Sequence, residues 1–132
     1  SDRIAAIAPV AGTNLTSSCS PGLALPVLHF HGDADPVGLY DGFGRFARGD
    51  DTLSGWASRN GCGGSSAVDL DEGDVLCESW SGCDDAAAVR LCTIEGGGHQ
   101  WPGGMTIPGL GPNTSDISAT ETMWTFFAAH SL

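Results

Sequence analysis

The chain has 132 residues, enough for one domain with a buried core and too few for two of ordinary size. Its net charge is -11, with five arginines (Arg3, Arg45, Arg48, Arg59, Arg90) and no lysine. That balance repels nucleic acid and anionic membranes, and no apolar run approaches membrane-spanning length; it is compatible with a neutral polymer or small ester, and equally with a charge that only keeps the protein in solution.

Residues 3–10 hold the apolar run Ile4-Ala5-Ala6-Ile7-Ala8, closed by Pro9 and Ala11-Gly12, and read as a buried parallel strand. Residues 13–26, rich in Ser, Asn, Pro and Gly, read as a loop. A second buried strand is expected over 27–30, with His31-Gly32 turning out of it. Residues 38–50 are glycine-rich loop with room for one helical turn. Over 51–59 the spacing predicts a helix. Asp50 or Asp51 can cap it, Leu53, Trp56 and Ala57 share a face, and Gly61 follows its end. Residues 66–70 read as a further strand and 69–74 as an acidic turn.

Two strands follow, 75–80 and 89–94, joined as a hairpin through Gly82, Asp84 and Asp85. Centring it between Asp84 and Asp85 sets Cys77 directly opposite Cys92, at cross-strand bonding distance. Of the five cysteines, Cys62 and Cys83 are then the second expected pair, and Cys19 is left over, free or bonded to a cysteine beyond these residues. The spacings fit no compact zinc site. Five buried thiols are the alternative. Disulfides are the better reading, and they point to an oxidising, extracellular compartment.

Residues 95–115 form a long glycine-rich loop stiffened by Pro102, Pro108 and Pro112; such loops are uncommon unless functional or disordered. The capping box Ser118-Ala119-Thr120-Glu121 opens a last helix, with Trp124, Phe127 and Ala128 as its buried stripe. Trp56, Trp80 and Trp124 are expected in the core. Asn14-Leu15-Thr16 and Asn113-Thr114-Ser115 match glycosylation sequons. The order of strands and helices is an α/β pattern. A core strand among the first residues leaves a sheet edge uncovered, so the chain is expected to be part of a larger domain or to need a partner.

Two motifs carry chemistry. His31-Gly32-Asp33-Ala34-Asp35-Pro36-Val37 follows one strand and Gly96-Gly97-Gly98-His99-Gln100-Trp101-Pro102-Gly103-Gly104 follows another. An acid on the first turn can orient a histidine on the second and stabilise its imidazolium. Asp35 is preferred over Asp33 because the acid must reach across to the base, whereas Asp33 comes earlier and faces solvent or caps amides. The glycines before His99 allow a tight turn that presents it as general base and acid. Trp101 is a candidate apolar wall for an acyl or aromatic group, or a packing anchor for the loop. The order is that of the last two members of a Ser, Asp, His triad, but no Gly-x-Ser-x-Gly occurs. The nearest string, Gly63-Gly64-Ser65-Ser66, lacks both the spacing and a preceding strand.

These motifs, with Pro26-Val27-Leu28-His29-Phe30 before them, Tyr40-Asp41-Gly42, Asn60-Gly61-Cys62, Trp80-Ser81-Gly82-Cys83 and the closing run from Ile117 to Phe127, resemble the extracellular poly(3-hydroxybutyrate) depolymerase and feruloyl esterase group of α/β hydrolases. The resemblance implies a partial α/β-hydrolase fold, the C-terminal strands and helices of a mostly parallel sheet with a disulfide-bonded β-hairpin. It implies that residues 1–132 are the C-terminal part of one catalytic domain, with the nucleophile segment in the N-terminal half upstream. Asp35 and His99 would be the triad acid and base, the substrate an ester, and no cofactor is implied.

Two other classes compete. His29-x-His31-x-Asp33 resembles a His-x-His-x-Asp metal motif of a metal-dependent hydrolase, although Ala34 stands where the next histidine would be and His29 lies inside an apolar strand. Asp69, Asp71, Glu72 and Asp74 are acidic enough for calcium but lack the full EF-hand spacing. The third class is a non-catalytic binding remnant.

Overall fold

In a computed structural model of the chain, residues 3–13, 19–40 and 49–130 are described, with only the backbone at 49 and 50. Four strands, β1 (Val27–Gly32), β2 (Gly63–Glu72), β3 (Val75–Ser81) and β4 (Val89–Ile94), make one sheet in the order β1-β4-β3-β2. Successive strand residues face opposite sides. Val27, Val89 and Leu91 pack with Leu53 and Ala57 of helix α1 (Gly49–Arg59). Leu28, Phe30, Cys92 and Ile94 pack on the other side with Ala119 and Met123 of helix α2 (Ala119–Ala128).

This corrects the expectation of a mostly parallel, partial α/β-hydrolase sheet. Only β1 and β4 pair in parallel, while β4 with β3 and β3 with β2 are antiparallel. The cause lies in residues 69–74, read as an acidic turn. They complete a ten-residue β2 and a tight reversal in which Gly73 takes φ +60 and the Asp74 N–H donates to Asp116 Oδ2 at 3.2 Å. Glycine reaches that conformation without steric penalty. The sheet is therefore small and mixed: an antiparallel meander, β2-β3-β4, with one parallel neighbour.

The run over 3–10 is not a strand. It lies half-buried beside β1 and makes two isolated parallel bridges, Ile7↔Val27 and Val10↔Phe30. Pro9 between them has no N–H to continue a ladder. β1 itself continues through His31 and Gly32, two residues further than expected, and all six of its residues are buried. α1 starts at Gly49, which puts Asp51 inside it rather than at its cap. Gly61 follows at φ +65. Most of the loop expected over 38–50, and the Asn14-Leu15-Thr16 sequon, lie outside the described residues.

Cys77 stands opposite Cys92 in the β3–β4 register, and the two are bonded. Cys62 is bonded to Cys83, tying the end of α1 to the β3–β4 connection. Cys19 carries no disulfide. Ser118 caps α2, its hydroxyl accepting from the Glu121 N–H. The buried stripe of α2 is Ala119, Met123 and half-buried Phe126, not Trp124, Phe127 and Ala128. Trp124 is 75% exposed, while Trp56 and Trp80 are partly buried against the α1-side core. No helix among the described residues is long and apolar enough to cross a membrane.

Candidate functional site

β1 and β4 are parallel neighbours in register, so Gly32 and Ile94 end side by side. The loops that follow leave from the same edge of the sheet, where α/β sites are commonly built. Their backbones interlock: the Asp33 N–H donates to the Ile94 carbonyl and the Ala34 N–H to the Gly97 carbonyl, each at 3.0 Å. A Cβ on Gly32 would collide with the Gly97 backbone, so glycine is what allows the two turns to touch.

This approach brings together two residues 64 apart in sequence. His99 Nδ1 lies 2.8 Å from Asp35 Oδ2. The Asp35 side chain is fully buried and that of His99 is about a third exposed. Asp35 Oδ1 accepts from the Val37 N–H at 2.7 Å and the Gly38 N–H at 2.8 Å. Burial raises the Asp35 pKa, but the bonds from His99, Val37 and Gly38 outweigh it and hold the carboxyl below its ordinary value. An ionised carboxylate can only accept, so Nδ1 of His99 carries a proton, and in the neutral ring the lone pair is on Nε2. Among the described residues nothing bonds that Nε2. The arrangement suits a general base whose tautomer is fixed from behind.

Two more imidazoles lie behind Asp35. His31 Nε2 donates to the Gly38 carbonyl at 2.5 Å and stands 3.5 Å from Asp35 Oδ2. Its Nδ1 faces His29 Nε2 at 3.3 Å. Both rings are 1% exposed. Burial, then the neighbouring His31, lowers the His29 pKa to about 3. His29 and His31 are thus bonded to each other and to backbone, while exposed Asp33 accepts from the Gly96 N–H at 2.6 Å. Among the described residues no three His, Cys, Asp or Glu side chains are gathered so as to hold a metal ion, and this includes the acidic residues 69–74.

Trp101 is 45% exposed, and its Nε1–H donates to Thr120 Oγ1 at 3.0 Å, fastening the His99 loop to α2. Gln100, which the motif reading passed over, does the most to shape that loop. Its Nε2 donates to the Ile107 and Gly111 carbonyls, both at 2.8 Å, and its Oε1 accepts from the Ile107 N–H at 3.0 Å. A glutamine beside a glycine run carries no distinctive spacing, so sequence offered no signal for it. Asn113 of the second sequon is half-buried, its amide donating to the Gly104 carbonyl at 3.0 Å.

No protein-family model matches the chain. A feruloyl esterase B from Piromyces equi is similar to it, 33% identical over an alignment of 90 residues that takes in 61% of this chain and 16% of that protein. The relation is distant and esterase-like, and this chain spans about a sixth of that relative's length.

Proposed function

We propose that the chain carries the acid and base of a serine-type carboxylic ester hydrolase. The observation that carries this reading is the 2.8 Å contact of His99 Nδ1 with a buried, ionised Asp35. The nucleophilic serine would come from a segment other than the residues present here. In that enzyme His99 Nε2 takes the hydroxyl proton as the serine oxygen attacks the ester carbonyl. The tetrahedral intermediate collapses to an acyl-serine as His99 returns the proton to the departing alcohol. Water, deprotonated by the same nitrogen, then releases the acid. Asp35 holds the tautomer and balances the charge of the transient imidazolium.

The similarity to a feruloyl esterase favours a feruloyl or acetyl ester of a polysaccharide. A polyester such as poly(3-hydroxybutyrate) is the other substrate of the proposal, with Trp101 as an apolar wall beside the base. Two disulfides and this relative fit a secreted protein.

The test is the complete reading frame that encodes this chain, expressed and assayed on methyl ferulate, p-nitrophenyl butyrate and poly(3-hydroxybutyrate). His99→Ala should lower kcat by about 10⁶-fold and Asp35→Asn by about 10⁴-fold, the scales seen when a triad loses its base and its tautomer control. A His99→Ala protein that keeps its esterase rate would end the proposal.

A further inference from the structure

Behind the acid–base pair, the proposed ester chemistry leaves two buried imidazoles unused. We infer that His31 is a positioning residue, whose Nε2–H clamps the Gly38 peptide and thereby sets the Asp35 carboxylate for His99. The inference rests on reading Asp35 and His99 as acid and base, and adds a residue to that site.

Proton accounting fixes the arrangement. The Gly38 carbonyl can only accept, so a His31 Nε2 at 2.5 Å from it must carry the proton. In the neutral His31 ring Nδ1 is then bare and accepts, and the atom facing it, His29 Nε2, carries the proton. Both rings are buried, so water cannot substitute for either partner. The other tautomer of His31 would aim a lone pair at the Gly38 oxygen and towards Asp35 Oδ2 at 3.5 Å. With both rings neutral, one protonation pattern alone satisfies these contacts.

The Gly38 peptide links the two halves of the device. Its carbonyl accepts from His31 and its N–H donates to Asp35 Oδ1. It lies directly over the carboxylate: a Cβ there would meet Ala11 O at 3.0 Å and Asp35 Oδ2 at 3.4 Å. Holding the carbonyl keeps both amides of the turn, Val37 and Gly38, on Oδ1, so that Oδ2 is left to His99. His31 is itself braced by the Tyr40 ring, edge-on at 5.4 Å, whose hydroxyl lies 3.1 Å from Thr93 Oγ1 on β4. Without the His31 donor the turn opens and the carboxylate can rotate away from His99.

The experiment is nitrogen-15 NMR of the histidine rings in this chain near pH 7. In the unaltered protein His31 should be protonated at Nε2, with a coupling across the hydrogen bond to the Gly38 carbonyl carbon, and His99 at Nδ1. His31→Leu removes the donor and should lower the ratio of Nδ1–H to Nε2–H tautomer at His99 by about fivefold to tenfold, as expected for one lost hydrogen bond. His31→Gln, which keeps an N–H donor, should restore the ratio. An unchanged ratio in His31→Leu overturns the inference, and so does a wild-type His31 that carries no proton at Nε2. If the leucine variant does not fold, the wild-type His31 tautomer decides alone. If wild-type His99 is not protonated at Nδ1, the acid–base reading itself has failed, whatever His31 does.

Discussion

Between pH 7 and pH 5 this protein should lose about 2 kcal/mol of stability through His29 alone. The ring is 1% exposed in β1, and burial, then its neighbour His31, lowers its pKa to about 3 from an ordinary 6.5. Below pH 6.5 the unfolded chain takes up a proton that the folded chain refuses. Stability is therefore full above 6.5 and falls below it, by up to about 1.36 kcal/mol per pH unit, until the folded ring also titrates. Over the first unit and a half the integrated loss is about 2 kcal/mol, a large part of the stability of a small domain. Asp35 does not confuse the measurement. Its lowered pKa gives stability that is present above its ordinary value of 3.8 and is lost only as pH falls below that. The control is His29→Gln, which cannot titrate yet keeps an N–H to face His31 Nδ1. Urea unfolding followed by tryptophan fluorescence, with disulfides intact, gives both stabilities at pH 7 and pH 5. The wild type should lose about 2 kcal/mol more than the variant across that interval. Equal losses in both would show that His29 is not held neutral by its surroundings.

Four further outcomes are expected. Replacing Cys62 and Cys83 by serine releases a 21-residue span and should lower stability by about 3 kcal/mol. Replacing Cys77 and Cys92 by alanine opens a 15-residue span of similar entropy but also empties two fully buried positions, so calorimetry should show the larger drop in Tm. Met123→Ala should cost about 2–4 kcal/mol in urea unfolding, whereas Trp124→Ser, one residue along the same helix, should stay within about 0.5 kcal/mol. Gly32→Ala should force the Asp35 and His99 turns apart, lowering stability and erasing the His99–Asp35 proton signal in NMR together.

Local signals carried much of the architecture. The capping box, the glycine after α1 and the cysteine spacing each encode a contact that depends on a few neighbouring residues. The errors arose where a choice depends on distant ones. Ala119, Met123 and Phe126 fall at i, i+4 and i+7 and Trp124, Phe127 and Ala128 at i, i+3 and i+4; both sets fit one helix face, and periodicity cannot say which meets the sheet; packing against Leu28, Phe30 and Ile94 decides it. Residues 69–74 look soluble enough to be a turn throughout, yet 69–72 extend β2, with the Asp69, Asp71 and Glu72 side chains exposed, and only 73 and 74 make the reversal. At the candidate site, the motifs drew attention to Asp35 and His99. They did not draw attention to His31 as a clamp or Gln100 as a brace, because a bond to a carbonyl far along the loop leaves no mark in local spacing.

The 64-residue separation of Asp35 and His99 also bears on the order of assembly. Pairing β2 with β3 and β3 with β4 closes short loops and can begin early, and the Cys77–Cys92 bond then locks that half. Docking β1 on β4 closes a far longer loop and comes at greater entropic expense, hence later. Carboxylate and imidazole meet only at that last step. A copy in which only the hairpins have formed does not yet hold Asp35 and His99 together.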